Sequence, residues 1–253
     1  MAAPFVPQDA LQKLRTDPQK LQSFIEAYTH DLTQFFQGLE ALVRATRTDR
    51  ATYMLFVVQD VSATLYPLLI RLHLKQWLDK AAHVGQRNLL AWIEMVDLRV
   101  FKLRGTNPQA DVFWMTRALP RKTLQEIVSD LKNFCQKFMP DTLMLSRLES
   151  EDLYRNIGLP RMLWEEENQI RQSLNQPAAS IEEMAALNAA GVSVEHVLPQ
   201  NPAFDITSYG FSDAEDFEGH KHLLGNLLLL EGGLNSACQN RTVEEKVTAP
   251  QLY

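Results

Sequence analysis

Val194-Glu-His-Val-Leu-Pro-Gln200 decides how this chain is read, together with Leu224-Gly-Asn-Leu-Leu-Leu-Leu230 and Leu234-Asn-Ser-Ala-Cys-Gln-Asn240 further on. Val192-Ser-Val194 and Leu227 to Leu230 read as two short strands. A polar, aromatic-dotted loop runs between them from Asn201 to Lys221, and Gly232-Gly233 turns the second strand into a short final helix. Glu195 and His196 close the first strand side by side. Neighbouring strand residues leave opposite faces, so the strand end and the turn at Pro199 must aim both at one centre.

Before this end the pattern is helical. Asp17-Pro18 offers an N-cap and a first-turn proline, and Leu21, Phe24, Ile25, Tyr28, Leu32 and Phe35 then form one apolar stripe. Thr48 or Asp49 caps the next helix, which carries Tyr53, Phe56, Val57 and Leu65 until Pro67 stops or kinks it. Asn88 to Arg104 is the clearest helix, with Leu89, Trp92, Ile93, Val96, Val100 and Leu103 on one face and Gly105 as its C-cap. Asn107-Pro108 opens another, and Ser180-Ile-Glu-Glu183 has capping-box spacing. Trp92, Phe101, Phe113 and Trp114 are expected in the core rather than as a base-stacking platform, and Arg99, Lys102 and Arg104 as a basic edge on an exposed face. Pro177-Ala-Ala179 and Ala185 to Ala190 mark the change of pattern. The expected organisation is mainly α: a helical connector or body over 1–188, then a small ββα domain over 189–253.

With 45% apolar residues the 253-residue chain can bury a sizeable core. Its longest apolar runs, such as Tyr53 to Val58, are far too short to span a bilayer. The first residues lack the basic patch and apolar stretch of a signal peptide. Cys135 and Cys238 are too far apart and too few for a four-cysteine zinc site. A reduced, cytoplasmic setting is expected. The charge is uneven: from Gly191 onward three basic residues face nine acidic ones, a net of −6, so the first 190 residues are neutral. An acidic domain grips phosphate backbones poorly by itself. Its substrate would have to be delivered by something else.

The Glu-His-Val-Leu-Pro-Gln run, with Asn226 and Asn235 nine apart, resembles the HNH nuclease superfamily and its ββα-metal unit. With His222-Leu-Leu-Gly-Asn-Leu227, Leu234-Asn235, Asn240 and Glu245-Lys246, it is similar to the C-terminal domain of GmrSD-type modification-dependent restriction enzymes, which SspE defence proteins share. More loosely, Leu90 to Glu94 and Arg99 to Arg104 resemble the helix before that nuclease. The resemblance implies a metal-dependent endonuclease that nicks or cleaves modified or foreign DNA in antiviral restriction. It also implies an NTPase or sensor partner, as a preceding domain or separate subunit, and a further terminal helix. The NTPase motif is missing and the sequence stops at Tyr253, where the family continues into that helix, so a C-terminal fragment or a truncated product is expected.

Phosphodiester hydrolysis needs a base for the attacking water and a cation for the developing charge. His196 is the expected base, because an imidazole of pKa about 6.5 is largely neutral at pH 7. The resemblance makes Glu195 and Asn235 ligands of Mg²⁺ or Mn²⁺, ions that favour oxygen donors and open water positions. It makes Asn226 a brace for the histidine loop. Each has a plainer reading: a packed histidine, a solvated glutamate, a Gly-Asn turn, a helix N-cap. Asn240 competes with Asn235 as ligand or contacts DNA. Five helical residues apart, the two differ in direction by about 140°. His222 and Lys246 are either solvated residues or phosphate contacts. The rival function is a degenerate HNH fold that only docks DNA or a partner.

Overall fold

Helices begin where the sequence supplies a cap. The computed structural model describes residues 12, 14–79, 83–85 and 87–248. The Asp17 carboxylate accepts from the Lys20 N–H at 3.2 Å and starts α1 (Pro18–Ala45). Asp49 caps the short α2 (Arg50–Tyr53), which continues as a π-helical turn over Met54–Val58. The chain then breaks. Asp60 has φ of 52°, and Pro67 lies in the first turn of α3 (Tyr66–Leu74) rather than at the end of a helix from Tyr53. The first turn has no intrahelical use for an N–H, so proline fits it without loss.

A minimal antiparallel pair, β1 (His83–Val84) and β2 (Arg87–Asn88), leads into α4 (Leu89–Val96), capped by Asn88. A π-helical stretch, Asp97–Leu103, continues it towards Gly105, whose φ of +69° ends the helix where glycine is favoured. Then follow α5 (Gln109–Ala118), α6 (Leu124–Phe138), α7 (Asp141–Ser150), α8 (Leu159–Ser173) and α9 (Ile181–Ala189). Ser180 and Glu183 form the full capping box of α9. The end of the described chain holds β3 (Val192–His196), α10 (Ala214–His220), β4 (Leu227–Glu231), α11 (Gly232–Cys238) and α12 (Val243–Thr248). Among the described residues no helix is long and apolar enough to cross a membrane.

The chain divides into two units: one of residues 1–56, 61–97 and 107–134, the other of 57–60, 98–106 and 135–253. Residue 188 falls inside the second. In the first, Leu68, Leu69, Ile70 and Leu72 of α3 are buried with Leu89 and Ile93 of α4. Helix α1 meets α3 closely at Gly38, where an added Cβ would lie 3.0 Å from Ile70 Cγ2. Only Gly38 and Leu42 of α1 are buried, while Ile25, Tyr28 and Leu32 are exposed. Phe113 and Trp114 also face outward, Trp114 being 60% exposed with Arg117 over its ring, so neither is core.

In the second unit Arg99 and Lys102 are buried, not a solvated edge. Arg99 donates to the Met139 carbonyl and pairs with Asp141 at 2.7 Å, and Lys102 donates to the Asp60 carbonyl. The π-helical winding changes which residues share a face, so a stripe drawn at ordinary helical spacing misplaces them. Leu159 and Leu163 of α8 pack with Leu227 of β4, and Tyr154, Met162, Val194, Leu224 and Leu229 pack against that cluster. Strands β3 and β4 pair antiparallel from Val192↔Glu231 to His196↔Leu227.

Candidate functional site

Strand alternation keeps the two motif residues on opposite faces, and the turn at Pro199 does not re-aim both at one centre. On one face Glu195 follows Ser193; on the other His196 follows Val194, which packs against the α8 cluster.

His196 is 4% exposed and held at both ring nitrogens. Gln200 Nε2 lies 3.3 Å from Nδ1, and His222 Nδ1 lies 2.9 Å from Nε2. An amide N–H can only donate. The lone pair of neutral His196 therefore sits on Nδ1, its Nε2–H donates to His222, and His222 carries its own proton on Nε2. Tyr154 roofs the pair, its ring 4.5 Å from that of His196 and stacked 5.1 Å from that of His222. A backbone bond from Leu153 N–H to the His222 carbonyl, 3.2 Å, fixes that roof.

Asn226 holds the turn after His196. Its Oδ1 accepts from the Leu198 N–H at 2.7 Å, and its Nδ2 donates to the carbonyls of Leu198 and Lys221 at 3.0 and 2.8 Å. Its own carbonyl accepts from the Val197 N–H at 2.9 Å. This one amide ties the strand end to the segment that carries His222.

On the Glu195 face, Lys246 of α12 is buried and donates to Glu195 Oε1 at 2.5 Å and to the carbonyls of His196 and Val197 at 2.7 and 3.1 Å. All three ammonium donors are used, so none is turned outward to a phosphate. Asn235, in α11, donates to Ser193 Oγ at 2.7 Å and to the Val194 carbonyl at 3.2 Å, which places it on the same strand face as Glu195 and leaves Oδ1 to accept. Asn240 lies beyond the helix end at Gln239, whose φ is 50°, and is exposed. The 140° offset of a straight helix does not describe it. Among the described residues no three His, Cys, Asp or Glu side chains gather as a metal cluster. Glu195 and Asn235 each offer an oxygen of the type a hard divalent ion prefers, and they would be the residues to hold one.

Burial, reinforced by His222, Lys246 and Lys221 and opposed by Asp152, pushes His196 down to about 4. The imidazole is thus neutral at pH 7. The unfolded chain, with an ordinary value of about 6.5, binds the proton more readily between pH 6.5 and 4. Stability from the neutral ring is therefore present above about 6.5 and lost as pH falls towards 4. In chelator, the wild type should lose about 2 kcal/mol more than His196→Gln between pH 7 and 4.5 in urea unfolding. Equal losses would show that the ring is not held neutral by the fold.

Two participants do not stand out in the sequence. Gln200 closes the quoted motif, and its four-residue spacing from His196 is the only local hint. Tyr154 lies 42 positions before His196 and enters through packing alone. Residues 141–252 match the family model for the C-terminal domain of GmrSD restriction endonucleases. No curated protein and no solved structure matched the chain.

Proposed function

We propose that this chain, whose residues 141–252 match the family model for the C-terminal domain of GmrSD restriction endonucleases, is a metal-dependent HNH endonuclease that nicks or cuts DNA in an antiviral restriction system. The observation that carries this reading is the grip on His196: a neutral, buried imidazole at a strand end, its Nδ1 lone pair guarded only by a 3.3 Å contact from Gln200. A water taking the place of that amide would meet a general base. An approaching phosphodiester, being anionic, raises the basicity of the ring towards the range useful at pH 7.

Glu195 and Asn235 would hold Mg²⁺ or Mn²⁺, and such an ion, when bound, neutralises charge on the scissile phosphate and leaving oxygen. Asn226 keeps the His196 turn in place. His222, whose Nε2 is not engaged by His196, is the candidate phosphate contact. The acidic C-terminal end favours delivery of DNA, modified or foreign, by an NTPase or sensor domain or subunit, in the cytoplasm. Residues 1–188 would connect that partner to a nuclease domain over 189–253.

Supercoiled plasmid tests this. The purified chain should relax it with Mn²⁺ or Mg²⁺, and Asn235→Ala should raise the metal midpoint, with only partial rescue at high metal. Asn240→Ala should leave the midpoint near wild type and affect stability or DNA contact instead. A shift confined to Asn240→Ala reverses the ligand assignment. The non-catalytic docking reading draws on the ion pair that already satisfies Glu195 Oε1. DNA binding without metal-dependent nicking in any preparation would select it.

A further inference from the structure

We infer that Lys246 is the resident cation of this site, and that a divalent ion reaches Glu195 in competition with its ammonium. The inference rests on the metal-nuclease reading above. Lysine is seldom fully buried, yet Lys246 is 1% exposed. Its three donors meet three oxygens: one carboxylate at 2.5 Å and two backbone carbonyls at 2.7 and 3.1 Å. A carboxylate with carbonyls is also the donor type that a hard divalent ion selects. The lysine therefore fills a cation cage and balances the charge of Glu195. An ion bound through Oε2 alone finds a neutralised carboxylate and the ammonium's repulsion; an ion taking Oε1 as well must displace the lysine.

Displacement has a mechanical result. Two of the three cage oxygens belong to His196 and Val197, so loss of the ammonium frees the turn that aims the imidazole. Lys246 also anchors α12, whose Glu244 accepts from the Tyr209 hydroxyl at 2.5 Å. Metal occupancy is thereby coupled to the hold on His196 and to the seating of α12.

Mn²⁺ binding to the full chain, followed by the paramagnetic resonance of free Mn²⁺, tests the competition without relying on catalysis. Lys246→Met and Lys246→Gln should bind Mn²⁺ on the order of tenfold tighter than wild type, as expected when an adjacent like charge is removed. Adding Glu195→Gln should abolish the gain. In the wild-type chain, Mg²⁺ should shift the Lys246 ammonium resonance, and this measurement decides the matter if the variants fail to fold. Wild-type affinity in a folded Lys246→Gln chain, or an ammonium resonance indifferent to Mg²⁺, overturns the inference. If the wild type still nicks with metal in either case, the nuclease reading stands. If no chain binds Mn²⁺ and none nicks, both fall.

Discussion

Replacing His196 with alanine should reduce metal-dependent nicking by about 10²–10⁴-fold, the usual loss when a general base is removed. The expectation follows from how little else surrounds the Nδ1 lone pair. Gln200 offers it only an amide donor, and His222 has its acceptor nitrogen already committed to His196 Nε2. Neither neighbour can take the proton from Nδ1's position without rebuilding the cluster. The fold should survive, because Tyr154 and the leucines beside it keep their own packing around Leu159, Leu163 and Leu227. The comparison is made at equal metal and protein, with the thermal melt of each chain checked. An alanine variant that nicks at the wild-type rate, contamination excluded, removes His196 from the role.

Asn226→Ala should cost about 2–4 kcal/mol of stability in urea unfolding, because truncation leaves several backbone groups without their partners. The Leu198 N–H loses its acceptor, and the Leu198 and Lys221 carbonyls lose their donors. Activity should fall as well, since the released turn begins two residues after His196. Asn226→Asp separates the contributions: it keeps an acceptor for Leu198 but turns a second oxygen towards two carbonyls. It should therefore be destabilised too, not rescued. A loss below about 1 kcal/mol in both variants would show that water replaces the clamp.

Local chemistry made much of the fold readable. Asp17, Asn88 and Ser180 act within three residues of themselves, so their caps are written in short stretches of sequence. The apolar runs that become β3 and β4 and the glycine turn into α11 are likewise local patterns. What depends on winding or docking was hidden. The π-helical stretch from Asp97 to Leu103 moved Arg99 and Lys102 off the face that ordinary spacing assigns. Phe113 and Trp114, read as core from their type, face outward because no described element covers them.

The site divides in the same way. Glu195, His196, Gln200, Asn226 and Asn235 lie on or beside two paired strands, and their proximity follows from register. The Tyr154 roof needs α8 to pack against β4. The burial of Lys246 needs α12 to dock across the end of β3. No spacing rule encodes either event. A lysine inside a short Glu-Glu-Lys run reads as solvated until its partners are known.

The packing of α8 on β4 also bears on how this segment could be exchanged between proteins. A crossover placed just before β3 would transfer the whole motif, both histidines and the final helices. It would leave behind Leu159, Leu163 and Met162, so Leu227 would arrive without the helix side of its cluster, and His196 would lose the aromatic ring above it. The smallest portable piece is consequently much longer than the motif that advertises it. Recombination that respects the chemistry must also carry the helix that contributes none of the reacting groups.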